Sequence, residues 1–334
     1  MSSDPPVAHR TIAVIGATGY QGGGVVRALL KATSDSGPWL VRAISQNPSS
    51  PKAQRLLAEN QTPDERLTIV AANVYDVASL HGAFAGAHGV FAITHDSHPT
   101  KVIAEDQDML HEIEAGRNMV FAAKACGVKH FVFSTLPDMV KATGGRFTKI
   151  HHMNNKYAIE TIARKELNGY TGIIPADGIV RFCPPVPGHQ VTQWTDPAHD
   201  VGVFAEKVYF ISKGIFALGV EETRGKIYLA LSQPIRSEDI AKIFTRVTGQ
   251  PSIYYPISLE EYGDFAASMI GPGFKEDIMQ MMEWVATAPQ NKICYGSMDP
   301  DDRSAEELGV KASTFEEWLR RSWWKGPEEA YQKK

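Results

Sequence analysis

A glycine-rich turn near the start of the chain restricts the possible folds more than any other feature of the sequence. The turn reads Gly16-Ala-Thr-Gly19-Tyr-Gln-Gly22, directly after a β-branched run at 11–15 and directly before a segment of helical period at 22–31. A strand-to-helix turn of this kind needs one glycine where the backbone bends sharply, a second where it approaches a pyrophosphate and a third where the helix packs on the sheet. The pattern therefore predicts a turn that binds phosphate groups, and a glycine-rich turn without a ligand is the alternative.

The helix after this turn supplies the other half of a phosphate site, because its first N–H groups have no partner within the helix and its dipole is positive at that end. The spacing is GxxGxxG rather than the GxGxxG of many dehydrogenases. The predicted phosphate contacts come from the turn and the first helical residues: Gly16, Thr18, Gly19, Tyr20, Gln21 and Gly22.

The first 180 residues alternate short β-branched or aromatic runs with longer segments of helical period. This alternation is typical of βαβ units around a parallel sheet. The predicted strands are 11–15, 40–44, 67–71, 90–94, 130–134 and 172–180, and the predicted helices are 22–31, 52–60, 77–85, 105–126 and 154–167. The expected fold class is α/β, a Rossmann doubly wound parallel sheet with a smaller, mainly helical C-terminal domain for the substrate.

A proline-rich segment suggests where the two parts meet. The run Cys183-Pro-Pro-Val-Pro-Gly188 suits neither a helix nor a central strand, because proline removes a donor and fixes φ. We predict a nucleotide-binding domain over 1–181 and a substrate domain over 182–225 and 249–334. The stretch 226–248, read as a strand and a helix, is expected to rejoin the sheet of the first domain.

Composition and charge exclude several classes of function. Lysine plus arginine number 34 against 38 aspartate plus glutamate, a net charge of −4, and no basic run is present, so nucleic acid is not an expected partner. The sequence has no apolar stretch of about 18 residues, which disfavours a membrane span. The polar N-terminus and the three scattered cysteines are typical of a cytoplasmic protein. The oligomeric state is not predictable.

The end of the second predicted strand indicates which dinucleotide binds. NAD-selective sites place an acid there, but residues 41–47 contain none, and a carboxylate would repel a 2′-phosphate. We therefore expect NADP(H), with NAD as the alternative. The candidate 2′-phosphate ligands are Ser45, Asn47, Ser50 and Lys52. Further along the predicted sheet edge, Asn73 with Asp76 and Thr94 are candidate cofactor contacts, although a solvated turn and a helix cap explain Asn73 and Asp76 equally well.

Together these residues resemble the NmrA-like family, an atypical branch of the short-chain dehydrogenase/reductases that includes isoflavone-reductase-like enzymes. The resemblance covers about residues 10–265 and is carried by the glycine turn, by the segment 115–135 and by Asp200-Val-Gly202. It implies a Rossmann domain that binds NADP(H) and a smaller domain that closes over the nicotinamide. The segment 175–194 departs from the family pattern, so substrate identity does not carry over.

The resemblance also implies a catalytic lysine, Lys156, which would bind the nicotinamide ribose and move a proton if its surroundings lower its pKa. The alternative is a lysine that only positions the cofactor. Three other side chains are candidate catalytic groups at or near the predicted sheet edge: His95, Ser134 and Glu105. The alternatives without catalysis are an ordinary loop position for His95, a loop hydrogen bond for Ser134 and stabilisation of a helix dipole for Glu105. No metal site is predicted, although His151 and His152 lie just before Lys156, because no carboxylate or cysteine falls at ligand spacing.

The leading hypothesis is an NADP(H)-dependent reductase of a small, largely apolar carbonyl, enone or imine compound in specialised metabolism. One alternative is a redox-sensing regulator that binds NADP(H) and a protein partner without turnover, and another is a non-redox cyclase or isomerase that keeps the nucleotide as a scaffold. A cluster of methionine and tryptophan residues in the last 70 positions would line an apolar pocket or form ordinary core.

Overall fold

The structure is a computed structural model that describes residues 10–32, 38–175, 184–205, 214–250, 252–289 and 302–326. Its strands, in chain order, are β1 (Thr11–Val14), β2 (Leu40–Ser45), β3 (Leu67–Ala71), β4 (Gly89–Ala92), β5 (His130–Ser134), β6 (Tyr170–Pro175), β7 (Val191–Thr192), β8 (Ile227–Ala230) and β9 (Ile235–Arg236). Strands β7 and β9 form a separate antiparallel pair.

The other strands form one parallel sheet, which within the described residues has seven strands in the order β3-β2-β1-β4-β5-β6-β8. The order runs in opposite directions on the two sides of the β1–β4 pair, and in doubly wound sheets this reversal opens a crevice at the carboxyl ends of the strands. The predicted Rossmann doubly wound sheet is therefore confirmed. Strand β8 lies beside β6, so the segment that follows residue 225 is part of this sheet.

The helices flank the sheet and cover its outer end. In chain order they are α1 (Tyr20–Lys31), α2 (Pro51–Asn60), α3 (Val77–Phe84), α4 (His111–Ala125), α5 (Met139–Ala142), α6 (His151–Glu166), α7 (Asp200–Ala205), α8 (Ile215–Leu218), α9 (Val220–Thr223), α10 (Ser237–Thr248), α11 (Leu259–Ile270), α12 (Phe274–Thr287), α13 (Ser304–Leu308) and α14 (Phe315–Ser322). None of these described helices has the length and apolar character that a membrane crossing requires.

Some element boundaries differ from those that the sequence predicts. The helix predicted over 105–126 begins as a 3-10 helix, Asp106–Leu110, and becomes α-helical only in α4. Helix α6 begins three residues before the predicted 154, because the carboxylate of Asp277 accepts the backbone N–H of His152 at 3.1 Å and so satisfies its first turn from another helix. The described part of β6 ends at Pro175, and the rest of the predicted strand 172–180 and the boundary at Arg181 lie outside the described residues.

Two apolar clusters bury the faces of the sheet. One contains α1 and α7, with Val25, Leu29 and Phe204 fully buried or nearly so. The other contains α3, α4 and α6. Helices α1 and α7 touch backbone to backbone: a Cβ on Gly202 of α7 would lie 2.5 Å from the carbonyl oxygen of Gly24 on α1. Close packing of α7 against α1 therefore depends on glycine.

A third cluster joins the C-terminal helices α11 and α12 to the start of α6. Its members include Met153 on α6 and Met281 and Met282 on α12, all less than a tenth exposed. Part of the methionine and tryptophan cluster expected from the sequence is thus ordinary packing between elements. Other members are exposed, Met269 by 69% and Trp323 by 82%.

His130, at the start of β5, makes the stability of the fold sensitive to acid. Burial, with a small contribution from His88, lowers its pKa to about 3, while an unfolded histidine titrates near about 6.5. Between these two pKa values the unfolded chain binds more protons than the folded chain. The contribution of neutral His130 to the free energy of unfolding is therefore complete above about pH 6.5, and it falls by up to about 1.4 kcal/mol per pH unit as the pH approaches 3.

We therefore expect His130→Gln to flatten the pH dependence of the unfolding free energy, measured by urea denaturation between about pH 7 and pH 4. Glutamine keeps a polar group near the hydroxyls of Thr171 and Thr223, which lie 3.1 and 3.2 Å from the imidazole Nε2. The exposed His81 provides the control variant, His81→Gln, which should keep the wild-type slope. If the pH dependence of the unfolding free energy is unchanged in His130→Gln, His130 is not its source.

Candidate functional site

The glycine turn lies at the reversal point of the sheet: Gly16 to Gly19 connect β1 to α1, and Gly22 lies in the first turn of α1. Gly16 has a φ of +70°, a conformation that favours glycine, and its carbonyl oxygen accepts the N–H of Gly19 at 2.9 Å. A Cβ on Gly22 would overlap the carbonyl oxygen of Gly16 and lie 2.5 Å from the carbonyl carbon. The N-cap of α1 is Gly19, so no side chain caps the helix. The turn is thus a glycine-lined cradle with a helix N-terminus facing it, which fits a pyrophosphate.

A side-chain hydrogen bond fastens this turn to the next strand ends. Ser134, at the end of β5 and 2% exposed, donates its hydroxyl to Gln21 Oε1 at 2.8 Å. The neighbouring Thr135 donates its hydroxyl to the backbone carbonyl of Lys156 at 3.3 Å. The structure therefore brings together the turn, the end of β5 and helix α6, as expected for a site at the carboxyl edge of the sheet. The Ser134 bond thus reaches a residue 113 positions earlier in the chain and is not the loop hydrogen bond considered from the sequence.

Lys156 is bound by two carboxylates. Its Nζ donates to Glu112 Oε1, from α4, and to Asp96 Oδ1 at 3.2 Å, from the loop after β4. Glu112 is 2% exposed and also accepts the hydroxyl of Thr94 at 2.5 Å. Lys156 itself is 8% exposed. We call these four residues, Thr94, Asp96, Glu112 and Lys156, the lysine cluster.

The lysine cluster holds Lys156 as a cation. Burial alone would lower the pKa of Lys156, but the negative charges and hydrogen bonds of Asp96 and Glu112 outweigh burial and raise this pKa well above its ordinary value. The sequence-based expectation that Lys156 moves a proton required surroundings that lower its pKa, and the structure shows the opposite. A lysine held in this state suits binding of hydroxyl or phosphate oxygens better than release of a proton near neutral pH.

Most of the side chains predicted to bind the 2′-phosphate after β2 accept hydrogen bonds from backbone N–H groups of the same loop and helix start. Ser45 Oγ accepts the N–H of Asn47 at 3.2 Å, and Asn47 Oδ1 accepts the N–H of Ser49 at 3.0 Å. Ser50 caps α2 by accepting the N–H of Ala53. Lys52 lies exposed in the first turn of this helix.

The residues after β3 also make local contacts. Asn73 Oδ1 accepts the N–H of Tyr75 at 3.0 Å, and Asp76 caps α3 by accepting the N–H groups of Ala78 and Ser79. The Asp76 contacts are those of a helix cap, one of the two roles considered from the sequence. The Asn73 contact is that of a turn, the other of these two roles.

His95 and Glu105 occupy exposed positions. His95 follows β4, and its Nδ1 accepts the N–H of Ser97 at 3.1 Å. Glu105 begins the 3-10 helix, where its backbone N–H donates to Asp108 Oδ2 at 3.1 Å, and it lies against Gly273 before α12. Glu105 therefore does not join the lysine cluster. No group of three or more histidine, cysteine, aspartate or glutamate side chains suited to a metal ion occurs in the part of the chain that the structure describes.

Sequence reasoning missed the partners of Lys156 and a second pair close to them. Asp277, fully buried on α12, lies 2.6 Å from His152 Nδ1 through its Oδ1. The spacing of His152 and Lys156, one helical turn apart, was visible in the sequence, but nothing local predicts that acids 44 and 125 residues away meet them.

The sheet order and the glycine turn define the chain as a Rossmann-type α/β protein. The sequence profile of the NmrA-like family matches residues 8–319. An NmrA-like family domain-containing oxidoreductase, FrzB of Cladobotryum sp, is 32% identical over 269 residues, which cover 74% of this chain and 76% of that protein. The chain belongs to the NmrA-like family, and the resemblance seen in the sequence is confirmed.

Solved structures of low sequence identity share this fold. NmrA, a negative transcriptional regulator, in complex with NADP has a TM-score of 0.65 and 18% identity, with 93% of this chain and 94% of that chain covered. Triphenylmethane reductase of Citrobacter sp. complexed with NADP(H) has a TM-score of 0.66 and 22% identity, with 93% and 99% covered. The fold is therefore found both in a regulator and in a reductase.

Proposed function

We propose that this protein is an NADP(H)-dependent reductase of a small, largely apolar carbonyl, enone or imine compound of the kind made in specialised metabolism. The observation that carries the proposal is the glycine cradle at the reversal point of the sheet, joined through Ser134 and Thr135 to the helix that holds Lys156. The relative FrzB is named an oxidoreductase, and the neighbouring triphenylmethane reductase structure contains NADP(H). Both support a reductase.

Different residues of the site would bind different parts of the nucleotide. The turn from Gly16 to Gly22 and the first N–H groups of α1 would bind the pyrophosphate, and the turn can close this tightly because Gly22 has no Cβ to strike the Gly16 carbonyl. Lys156, held as a cation, would bind the nicotinamide ribose hydroxyls. The bound nucleotide supplies a hydride, and the protein supplies position and exclusion of water. Helices α11 and α12 pack against the start of α6, the helix that carries Lys156.

Preference for NADP(H) over NAD(H) would come from the start of α2. Residues 41–47 carry no acid, and Lys52 is exposed in the first turn of a helix whose dipole also favours a phosphate. We expect Lys52→Glu to weaken NADPH binding about 10-fold, or about 1.4 kcal/mol, and to leave NADH binding unchanged. Titration of the purified protein with each nucleotide by calorimetry measures both.

Arg55→Glu is the matched control, because Arg55 is an exposed cation on the same helix about one turn further on. It makes the same change in charge but should reduce NADPH binding much less. Equal effects of the two variants would contradict a 2′-phosphate site at Lys52, and binding of neither nucleotide to the wild-type protein would contradict the proposed function as a whole.

A sensor without turnover is the second candidate, and the lysine cluster is the observation that favours it. A lysine whose pKa is raised by two carboxylates is a poor proton donor, and the structurally similar NmrA is a transcriptional regulator. NADPH absorbance assays with a panel of enones, aldehydes, quinones and imines separate the two functions. Oxidation of NADPH by any member supports a reductase, whereas tight binding with no oxidation by any member, together with a co-purifying protein, supports a sensor.

A further inference from the structure

The pair formed by His152 and Asp277 has the geometry of an oriented acid–base histidine. Asp277 Oδ1 lies 2.6 Å from His152 Nδ1, and Asp277 Oδ2 accepts the backbone N–H of the same residue at 3.1 Å. One carboxylate thus holds both the backbone and the ring of His152. Because a carboxylate oxygen only accepts hydrogen bonds, Nδ1 carries the proton, and the basic lone pair of the neutral ring is on Nε2.

The position of His152 places it beside the lysine cluster. His152 and Lys156 are four residues apart on α6 and therefore share one face of the helix. Removal of Asp96 from water raises its pKa, but the positive charges of Lys156, His152 and His95 outweigh this effect and lower the pKa. The His152 side chain is 14% exposed, so water reaches it to a limited extent.

We propose that His152 is the proton donor of the site and that Asp277, on the C-terminal helix α12, orients it. This inference rests on the proposed reductase function and names the residue that completes it. Asp277 is a positioning residue, since it acts through the imidazole. The charged groups whose effects reach Asp96, in the loop after β4, include Lys156 and His152 on α6 and the neighbouring His95.

The reaction step balances with the groups named. A hydride supplied by bound NADPH would form a C–H bond at the carbonyl carbon, the π pair of the C=O bond would move to oxygen, and that oxygen would take the proton from Nε2 of protonated His152. The nucleotide would leave as NADP⁺, the substrate would be reduced by two electrons, and neutral His152 would regain a proton from water. Lys156 keeps its proton throughout, which agrees with its raised pKa.

The first test uses the intact protein and does not require turnover. Nitrogen-15 NMR of the histidine rings, recorded with NADPH bound, should show a proton on Nδ1 of His152 at every pH and titration at Nε2 only. Asp277→Asn should remove the strong Nδ1 hydrogen bond. A neutral His152 ring with its proton on Nε2 would overturn the inference.

The second test separates a catalytic from a structural role. With trans-cinnamaldehyde, an α,β-unsaturated aldehyde, as the acceptor, His152→Ala should lower kcat by about 100-fold or more and leave NADPH binding intact. Added imidazole should restore the rate in proportion to its concentration. Wild-type turnover by this variant, or a loss that imidazole cannot restore, would overturn the inference.

Two further variants complete the design. His151→Gln is the matched control, because the adjacent histidine is 3.4 Å from Asp106 and lies outside the pair, and it should keep the wild-type rate. Asp277→Asn should lower kcat less than His152→Ala, leave KM unchanged and shift the pH dependence of kcat. If the wild-type protein binds NADPH but oxidises it with no acceptor of the panel, that result counts against the proposed reductase, and the NMR measurement alone tests the pairing of His152 with Asp277.

Discussion

Gly22→Ala is expected to reduce NADPH binding by about 100-fold or more, equivalent to about 2.7 kcal/mol. The added Cβ would overlap the carbonyl oxygen of Gly16, and neither partner can move away without opening the turn, since both are backbone. Opening the turn moves the first N–H groups of α1 away from the phosphates. Calorimetric titration with NADPH measures the loss, and thermal unfolding shows whether the fold survives.

Two other variants make this result interpretable. Gly82→Ala is the matched glycine control, because a Cβ there meets nothing within 4 Å, and on helix α3 it should leave NADPH binding unchanged and stabilise the protein slightly. Thr18→Asp changes an exposed residue of the turn and places a negative charge beside the phosphates without a steric clash. It should weaken NADPH binding with little effect on unfolding. Normal NADPH affinity in both Gly22→Ala and Thr18→Asp would show that the nucleotide binds elsewhere.

Lys156→Met is expected to destabilise the protein by about 3–5 kcal/mol, the usual cost of removing one partner of a buried ion pair. Glu112 would stay 2% exposed with Thr94 as its remaining donor, so its charge would be buried without compensation. Urea unfolding at neutral pH measures the change in the free energy of unfolding. The same variant should also bind NADPH more weakly, because it loses the cation proposed to hold the ribose.

A double-mutant cycle with Glu112→Gln tests the cause of this loss. The double variant should be clearly more stable than the sum of the two single changes predicts, because no unpaired charge remains. Lys124→Met provides the control for loss of an ion pair at the surface: Lys124 pairs with Glu166 at 2.7 Å but is 55% exposed, and such pairs contribute about 0–1 kcal/mol. If the effects of Lys156→Met and Glu112→Gln on the free energy of unfolding are additive, the buried ion pair is not the source of the lost stability.

The lysine cluster changes how the chemistry of the site is assigned. A family resemblance identifies Lys156 as the reactive lysine, but two carboxylates keep it protonated. The geometry moves the proton-transfer role to His152, whose ring is held by a carboxylate from the C-terminal helices. Because Asp277 belongs to α12, the packing of that helix against α6 sets the orientation of His152.

Much of the fold was predictable from local patterns. Strands β3 and β5 have the predicted boundaries, and the glycine turn lies between a strand and a helix as its sequence requires. These features follow from residue types at short range: β-branched runs, helical period and glycine where φ is positive. The start of α6 was predicted less well, because its first turn is completed by Asp277 from another part of the chain.

The class of fold, the position of the phosphate-binding turn and the family could all be predicted from the amino-acid sequence, because each depends on residues close together in the chain. The charge state of Lys156 and the orientation of His152 could not be predicted in this way. Both depend on the charges of Asp96, Glu112 and Asp277, which come from separate elements and meet where the sheet and the C-terminal helices pack. Electrostatic effects of this kind act over a few ångströms in space, whatever the separation along the chain.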